Sequence, residues 1–479
     1  MQTARSFVGG EWCPGEKEVP DINPARPATP VAQVSLATGK IAEQAVQAAK
    51  DSTASWRNTP APARGEILRR AADLLQQRTP DIARDLAMEE GKTLPEAAGE
   101  TTRAVAILRY FAAQTLEPDG ETYPSHSAKT FLYAIREPLG TVAAITPWNF
   151  PIAIPAWKIA PALAYGNSVV WKPAEIVPLT AIHLVQALAD AGLPAGVLNL
   201  VLGRGSDVGD TITTHPAVDA ITFTGSNKVG RAIQAKAVAS GKKVQLELGG
   251  KNPAVVLADA DLDNAADHVA RGAFLSAGQK CTATSRIIVD QRVWDEFRER
   301  LREKTKQMTL GDPLDAKTKV GPVSSEQQFD TVRYYLDIAR KEKAEFLTGE
   351  MPVSDGKQGY YIAPIILAGL SKESALVREE VFGPVAALLP AQSPEEALAI
   401  ANDTPFGLSA SVFTNDLNRA MRFVRGLRAG VVKVNQETAG LEFQVPFGGM
   451  GDSSSGSREQ GKVARDFFTQ WKTVYIDSF

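Results

Sequence analysis

The sequence predicts an α/β protein with two sheet-containing domains. Its 479 residues exceed what one ordinary hydrophobic core accommodates, so more than one domain is expected. From Gly140 onward, short apolar runs alternate with stretches whose apolar residues have helical spacing. This alternation is typical of a mostly parallel sheet covered by helices on both faces, and it begins again after Leu246.

Residues 40–116 are predicted to be helical, and the segments after Gly140 supply strands joined by crossover helices. The N-terminal helices are predicted at Ile41–Ser52, Ala63–Gln77, Pro80–Glu90 and Leu94–Leu116. The first alternating set has strands at Thr141–Thr146, Ser168–Trp171, Val197–Leu202 and Ala220–Thr224, and helices at Ala156–Ala164, Thr180–Ala191, Ser206–Thr213 and Val229–Ser240. The second set comprises Ala254–Leu257, Leu262–Ala277, Arg286–Val289 and Val293–Leu310, with later elements to Val434. A strand at Lys129–Arg136 belongs to neither set, and together with Thr473–Ile476 it predicts a protruding arm.

The composition excludes several classes of partner. A formal net charge of -3 and a pI near 6.0 give no long-range attraction to nucleic acid or to anionic membranes. Cys13, expected to be inert in a Gly/Pro-rich turn, and Cys281 are too few for a disulfide framework. The N-terminus has no apolar signal region, and prolines interrupt the most apolar stretch, Val142–Trp157. We therefore expect a cytoplasmic protein without a membrane span.

Two segments at predicted strand ends are candidates for binding a dinucleotide. Gly225 and Ser226 follow an apolar run, and Gly230 lies in the predicted helix that comes next. Glycines at such a turn let the backbone approach a phosphate, which a helix N-terminus favours; a simple tight turn is the alternative. Lys172 and Glu175 follow another strand. A glutamate there would accept ribose hydroxyls and repel a 2′-phosphate, unless the segment is a solvated turn.

Three polar residues are candidates for catalysis. Cys281 has polar neighbours, which suits a reactive thiol, although its context is equally compatible with an inert one. Glu247 stands between two leucines, where burial would raise its pKa and suit a general base; an outward strand position is the alternative. Asn149 lies between prolines that fix its backbone, which suits an amide aimed at an oxyanion, or a simple turn. The histidines are scattered, so no metal site is predicted.

Seven short segments occur in a characteristic order along the chain. They are Pro147-Trp148-Asn149-Phe150-Pro151, Lys172-Pro-Ala-Glu175, Phe223-Thr-Gly225-Ser226, Leu246-Glu247-Leu-Gly-Gly250, Gly278-Gln-Lys-Cys281, Glu379-Glu380-Val-Phe382-Gly-Pro384 and Pro446-Phe-Gly-Gly-Met450. Together they resemble the aldehyde dehydrogenase superfamily over nearly the whole chain. The resemblance implies an aldehyde dehydrogenase-like fold, with two Rossmann-type α/β domains and a small β oligomerisation arm in a homodimer or homotetramer.

The same resemblance implies a division of the chain into three parts. Residues 1–119 and 139–249 would form the NAD(P)-binding domain, and residues 250–445 the catalytic domain. Residues 120–138 and 446–479 would form the oligomerisation arm.

The resemblance also implies a reaction. Cys281 would attack an aldehyde, and the amide of Asn149 would stabilise the oxyanion of the thiohemiacetal. Hydride transfer to the nicotinamide would leave a thioester, and Glu247 would activate the water that hydrolyses it; CoA-acylating members generally lack this base. The residues implied to bind NAD, with NADP as the alternative, are Trp148, Lys172, Glu175, Gly225, Ser226, Gly230, Leu248, Glu380 and Phe382.

One position bears on the choice of aldehyde. Succinate-semialdehyde dehydrogenases usually carry an arginine where this chain has Trp157. The segments Pro155–Lys158, Gln279–Arg286, Asn435–Glu437 and Gly456–Gly461 are instead similar to those of 2-oxoglutarate-semialdehyde (2,5-dioxopentanoate) dehydrogenases, so we expect that substrate. The alternatives are succinate semialdehyde or another short aldehyde, or a sugar-phosphate aldehyde oxidised without phosphorylation. A non-enzymatic binding protein on this fold is a further alternative, disfavoured because the candidate catalytic residues are all present.

Overall fold

The computed structural model describes residues 2–349, 356 and 358–477. The helices are α1 (Gly39–Asn58), α2 (Ala61–Gln77), α3 (Thr79–Glu90), α4 (Leu94–Gln114), α5 (Ala153–Ala164), α6 (Pro178–Asp190), α7 (Gly205–Thr214), α8 (Asn227–Ala239), α9 (Leu262–Phe274), α10 (Trp294–Lys306), α11 (Glu326–Lys341), α12 (Ala375–Arg378), α13 (Pro394–Asn402), α14 (Leu417–Gly426) and α15 (Ala464–Phe468). The strands before residue 250 are β1 (Thr3–Ala4), β2 (Ser6–Val8), β3 (Glu11–Cys13), β4 (Lys17–Asp21), β5 (Ala32–Leu36), β6 (Gly120–Tyr123), β7 (Thr130–Pro138), β8 (Thr141–Ile145), β9 (Ser168–Lys172), β10 (Leu198–Leu200), β11 (Ala220–Thr224) and β12 (Lys243–Glu247). The later strands are β13 (Asn252–Val256), β14 (Thr284–Asp290), β15 (Glu345–Thr348), β16 (Ile365–Ala368), β17 (Val385–Ala391), β18 (Ser409–Phe413), β19 (Val431–Val434), β20 (Ser454–Ser455) and β21 (Thr469–Asp477).

The larger sheet carries the first alternating set. Among the described residues it has eight strands, in the order β20-β12-β11-β8-β9-β10-β2-β3. Its central strands from β12 to β10 run parallel, and β20 on one side and β2 on the other join them antiparallel. Val169 and Val170, successive residues of β9, belong to hydrophobic clusters on opposite faces. The central strands therefore need apolar residues on both faces, as the short apolar runs predicted.

The second sheet carries the other alternating set. Its order in the described chain is β15-β16-β17-β14-β13-β18-β19, parallel except for β15. The predicted helix Leu262–Ala277 is too long, because α9 ends at Phe274. Ser276 and Ala277 have φ of 55° and 51°, a left-handed conformation that cannot continue a right-handed helix.

The predicted arm is present as a separate three-stranded sheet, β21-β7-β6, among the described residues. Strands β7 and β21 pair antiparallel over nine residues each, from Thr130 opposite Asp477 to Pro138 opposite Thr469. Part of the chain before β21 belongs to the larger sheet instead, since β20 pairs with β12 and forms one edge of that sheet.

The N-terminal strands were not predicted. Strands β2 and β3 extend the larger sheet, and β1, β4 and β5 form a small sheet of their own. Cys13 ends β3 rather than lying in a turn, so that part of the prediction is wrong. These strands of two to five residues are too short to show an alternating pattern. In the ranges that the structure describes, no helix is long and apolar enough to cross a membrane.

Candidate active site

The candidate residues lie at the carboxyl ends of neighbouring parallel strands. Glu247 ends β12, Gly225 follows β11, Asn149 follows β8, and Lys172 ends β9. These four strands are adjacent in the larger sheet. Because the carboxyl ends of parallel strands meet at one edge, residues distant in sequence come together there. Cys281 reaches the same edge from the loop between α9 and β14 of the other sheet.

A cavity of about 230 Å³ lies at this edge, and residues of both sheet regions line it. The predicted residues in its wall are Trp148, Asn149, Gly225, Ser226, Leu248, Cys281, Glu380 and Phe382. Ile154 and Gln328 also line it. Lys172, Glu175, Gly230 and Glu247 lie outside this lining. The cavity thus joins the candidate nucleophile to most of the candidate cofactor residues.

The loop that carries Cys281 is strained and tightly bound. Three successive residues, Ser276, Ala277 and Gly278, have left-handed φ of 55°, 51° and 69°. The Asn252 side chain donates from Nδ2 to the Cys281 carbonyl at 2.8 Å and to a second carbonyl of the loop at 2.9 Å. A left-handed conformation costs free energy at non-glycine residues, so surrounding contacts must impose it. The position of the sulfur is therefore fixed by the fold.

The surroundings of Cys281 favour the neutral thiol. Burial raises the pKa of Cys281 to about 12, and the negative charges of Glu380 and Glu247 add to the shift. The backbone N–H groups of Thr282 and of Cys281 itself act in the opposite direction. A nucleophilic thiolate therefore requires a base that takes the proton, or a positive charge brought in by a ligand.

Asn149 has an amide arranged to donate. Its Nδ2 gives one hydrogen bond to the Gln279 carbonyl at 3.0 Å, two residues before Cys281. The side chain is buried, and its Oδ1 has no partner among the described residues. An amide nitrogen has two N–H groups, so one is left for an oxygen atom in the cavity. This geometry suits the stabilisation of an oxyanion at a carbon attached to the sulfur.

A buried lysine fixes the Asn149 loop. Lys92 Nζ donates to the Asn149 carbonyl at 2.7 Å and to Glu100 Oε2 at 2.6 Å. The other oxygen of Glu100 accepts the backbone N–H groups of Ile152 and Ala153 at 3.0 and 3.1 Å, where α5 begins. The ammonium also lies 4.4 Å from the centre of the Phe150 ring.

The same end of α4 fixes the Cys281 loop. Glu96 Oε1 accepts the backbone N–H of Ser276 at 2.7 Å, and its Oε2 accepts the N–H and hydroxyl of Thr93. The start of α4 thus fixes both the loop of Asn149 and the loop of Cys281, the candidate oxyanion donor and nucleophile. Sequence reasoning missed this role of Lys92, Glu96 and Glu100. The Thr93-x-x-Glu96 capping box was visible as a helix start, but nothing local indicates its contact with Ser276.

Glu247 is buried, which excludes the outward-facing alternative. Burial, with the negative charge of Glu459 as the next cause, raises the pKa of Glu247 well above its usual value. Its Oε2 accepts the Ser454 hydroxyl at 2.7 Å, and its Oε1 has no partner among the described residues. A Cβ at Gly448 would lie 2.7 Å from that free Oε1. The glycine therefore leaves room beside a carboxylate basic enough to take a proton from water.

Glu459 lies behind this base and binds two residues of α5. Its Oε2 accepts the Trp157 indole N–H at 2.7 Å, and its Oε1 accepts a hydrogen bond from Lys158 Nζ. Thr222 also donates to Oε1, at 3.3 Å. Trp157 therefore has its single N–H donor committed within the protein.

Glu380 and Phe382 form the opposite wall of the cavity. Glu380 Oε1 accepts the Gly250 N–H at 2.9 Å, and burial raises the pKa of this carboxyl to about 7. A Cβ at Gly249 would overlap the Glu380 carboxylate. Phe382 has φ of 57°, and its ring meets that of Trp148 edge to face at 5.4 Å. A carboxylate and two aromatic rings that line the same cavity suit a sugar hydroxyl next to a flat, polar ring.

The turn before α8 presents backbone to the cavity. Gly225 and Ser226 line it, and the 13-residue helix α8 begins directly after them. The free N–H groups of a first helical turn suit a phosphate. Gly230 has a different role, because a Cβ there would lie 2.5 Å from Leu248 Cδ2. It lets the helix pack closely on the segment after β12.

Lys172 and Glu175 form a pair at the end of β9. The Lys172 ammonium is 3.6 Å from Glu175 Oε2, and burial lowers the pKa of Lys172. The Glu175 side chain is 41% exposed, so its carboxylate remains open to a ligand. Elsewhere in the chain that the structure describes, no group of three or more His, Cys, Asp or Glu residues is arranged to bind a metal ion.

Comparison with known proteins decides the family. The model of the aldehyde dehydrogenase family matches residues 12–474. The chain belongs to the aldehyde dehydrogenase family. It is 47% identical to the alpha-ketoglutaric semialdehyde dehydrogenase of Bacillus subtilis, over 99% of this chain and 98% of that protein. It is 45% identical to the alpha-ketoglutarate semialdehyde dehydrogenase of Haloferax volcanii, over 99% of each chain.

A solved aldehyde dehydrogenase has the same fold. The betaine aldehyde dehydrogenase of Staphylococcus aureus, solved in complex with NAD+, superposes with a TM-score of 0.95. The two proteins share 35% identity, and the match covers 98% of this chain and 94% of the other. The predicted family and fold are confirmed. As a member of this family, the protein is an oxidoreductase that converts an aldehyde to the corresponding acid.

Proposed function

We propose that this aldehyde dehydrogenase oxidises 2-oxoglutarate semialdehyde (2,5-dioxopentanoate) to 2-oxoglutarate with NAD+, and releases the product by hydrolysis. The observation that carries the proposal is the arrangement of Cys281, Asn149 and Glu247. A half-buried sulfur, a free amide N–H and a carboxylate oxygen without a partner among the described residues lie at one edge of the sheet. These are the nucleophile, the oxyanion donor and the base that acyl chemistry requires.

In the first half of the proposed reaction, the Cys281 thiol releases its proton to solvent, as the net proton of the reaction, and its sulfur bonds to the aldehyde carbon. The carbonyl oxygen becomes an oxyanion, to which Asn149 donates its free N–H. Bound NAD+ supplies a hydride acceptor for the hydrogen on that carbon. Loss of the hydride restores a carbonyl group and leaves a thioester on Cys281.

In the second half, Glu247 takes a proton from water while the water oxygen bonds to the thioester carbon. The carbon–sulfur bond then breaks, the acid leaves, and the proton returns to the sulfur. The raised pKa of Glu247 makes it an effective base for this step. Glu247 Oε1, which no described residue binds, gives the water an acceptor.

The residues around the cavity fit a dinucleotide cofactor. Gly225 and Ser226 would bind its phosphates, Lys172 and Glu175 the adenosine ribose, and Glu380 the nicotinamide ribose. Phe382, Trp148 and Leu248 would contact the rest of the molecule, and Gly230 would act through packing. Glu175 would repel a 2′-phosphate, which favours NAD+ over NADP+. The NAD+ bound to the Staphylococcus aureus relative supports this assignment.

The names of two relatives that share 45–47% identity with the chain support the proposed substrate.

The domain boundaries at residues 119, 139, 249 and 445 and a cytoplasmic location are also part of the proposal. So is a homodimer or homotetramer built through the arm. Large apolar side chains on its strands are exposed, with Phe131 at 55%, Tyr475 at 70% and Ile476 at 50%, as expected of a surface that a second copy covers.

The proposal is tested by mixing the purified protein with a panel of aldehydes and NAD+ or NADP+. We expect 2-oxoglutarate semialdehyde with NAD+ to give the highest kcat/KM, measured as absorbance of the reduced cofactor. CoA should not be required, and it should not appear in the product. Higher kcat/KM for succinate semialdehyde or a sugar-phosphate aldehyde would replace the proposed substrate, and activity that depends on CoA would contradict hydrolysis.

A further inference from the structure

The carboxylate of a semialdehyde substrate needs a cationic partner. Trp157 occupies the position where succinate-semialdehyde dehydrogenases usually carry an arginine. Its indole N–H is bound to Glu459. The buried lysines nearby are also committed, since Lys158 binds Glu459 and Lys92 binds Glu100. A cation for the far end of the substrate must therefore come from another element.

Arg103 on α4 is such a cation. Its guanidinium is half-buried, and burial is the main cause that lowers its pKa, yet an arginine stays protonated at neutral pH. No carboxylate oxygen of the described residues lies within 4 Å of its nitrogens, in contrast to Lys92 and Lys158. Among the described residues, it donates to two neutral oxygens, the Leu441 carbonyl and Gln460 Oε1, the latter at 3.4 Å.

Gln460 supplies a second unused donor at the same place. The side chain is 1% exposed, and its Nε2 has no partner among the described residues. Gln460 has φ of 59°, a left-handed backbone conformation that residues other than glycine rarely adopt. A buried amide N–H without an acceptor costs free energy unless a ligand supplies one.

The position of this pair follows from α4 and α5. Arg103 is one helical turn after Glu100, which binds the first turn of α5 just beyond Asn149. Ile154 lines the cavity with Cys281, and Trp157 is one turn further along α5. Trp157 contacts Glu459, the neighbour of Gln460. Arg103 and Gln460 lie outside the lining of the 230 Å³ cavity, and these contacts along α5 connect its Ile154 wall to the pair.

We propose that the Arg103 guanidinium and the Gln460 amide bind the carboxylate, and with it the adjacent oxo group, at the far end of a 2-oxo acid semialdehyde. The inference rests on the proposed function and specifies how the site selects its substrate. Planar guanidinium N–H groups match the two oxygens of a carboxylate. Arg103 and Gln460 would then replace the arginine that succinate-semialdehyde enzymes have at the position of Trp157.

The test compares a charged with a neutral aldehyde of the same length. We expect Arg103→Met to lower kcat/KM for 2-oxoglutarate semialdehyde about 10- to 100-fold, the range of one hydrogen bond to a charged group. The kcat/KM for pentanal should stay within about threefold, and Arg103→Lys should recover part of the loss. Glutarate should protect Cys281 of the wild-type enzyme from iodoacetamide, and Arg103→Met should weaken that protection without any turnover being measured.

Lys433→Met is the matched control. Lys433 donates to the Ala439 and Gly440 carbonyls, so its removal disturbs the same chain segment without touching α4. If Arg103 only fastens this segment, Arg103→Met and Lys433→Met will lower activity on both aldehydes equally, and the inference is overturned. An unchanged preference for the charged aldehyde in Arg103→Met overturns it as well. A wild-type enzyme that prefers pentanal would instead contradict the proposed substrate itself, and the inference with it.

Discussion

Replacement of Lys92 by methionine tests how the site is held in place. The variant keeps the length of the side chain but removes the ammonium that donates to Glu100 and to the Asn149 carbonyl. Glu100 would then be a carboxylate, 4% exposed, without its cationic partner, and Glu90, 3.8 Å from the ammonium, would lose part of its compensation. The Asn149 loop would lose the contact that fixes its backbone.

The contacts of Lys92 set the expected losses of folding stability and of kcat/KM. Removal of one partner of a buried ion pair destabilises a protein by about 3–5 kcal/mol, because the other charge stays buried. Lys92 and Glu100 are both almost fully buried, so the upper half of that range applies to the free energy of unfolding. A shift of the oxyanion donor of about 1 Å lowers the rate about 100-fold, which sets the expected loss of kcat/KM.

The assay combines urea unfolding with steady-state kinetics at a temperature where the variant is folded. The matched control is Lys236→Met, which removes an equally short pair between Lys236 and Asp210 at the surface, where the side chains are 46% and 78% exposed. The control should change the free energy of unfolding by less than about 1 kcal/mol and leave kcat/KM unchanged. If Lys92→Met behaves like the control in both measurements, the positioning role is refuted.

Three further predictions follow from the cavity. Because burial raises the pKa of Cys281 to about 12, alkylation by iodoacetamide without cofactor should rise about tenfold per pH unit between pH 7 and 10, and a plateau below pH 9 would contradict the shift. Gly249→Ala should displace Glu380 and raise the KM for NAD+ about tenfold. The matched control is Gly99→Ala, because Gly99 is a helical glycine with open space around its Cβ position. The control should leave the KM for NAD+ unchanged, and an equal KM in the two variants would refute the role of Glu380. Glu175→Gln should raise the ratio of kcat/KM for NADP+ to kcat/KM for NAD+ about tenfold, because it removes a charge that repels the 2′-phosphate. If this ratio is the same as in the wild-type enzyme, the adenosine ribose does not bind at Glu175.

The elements that the sequence predicted well have strong local patterns. Strand β11 matches the predicted Ala220–Thr224 at both ends, because a strand buried on both faces is a continuous apolar run between turns. Glu247 was a candidate because a carboxylate between two leucines is costly if it is idle. Cys281 and Asn149 were candidates because of polar neighbours and flanking prolines, and the ordered resemblance then proposed their roles. The parallel sheet then brings them to one edge.

The features that were missed depend on distant contacts. Lys92 meets Asn149 across 57 residues, and Ser454 meets Glu247 across 207, so no pattern within a window of sequence indicates either pair. The end of α9 was misplaced because Ser276 and Ala277 are ordinary residues in a left-handed conformation that the Glu96 contact helps to impose. Neither residue type signals such a conformation.

The central claim is that Cys281 forms a thioester which Glu247 hydrolyses. Its most direct test is Glu247→Gln mixed with 2-oxoglutarate semialdehyde and NAD+, followed by mass spectrometry of the intact protein and its peptides. We predict one equivalent of NADH in a burst, turnover slowed about 100-fold or more, and an acyl group on the Cys281 peptide. Full turnover without an adduct, or an adduct on a different residue, would contradict the account.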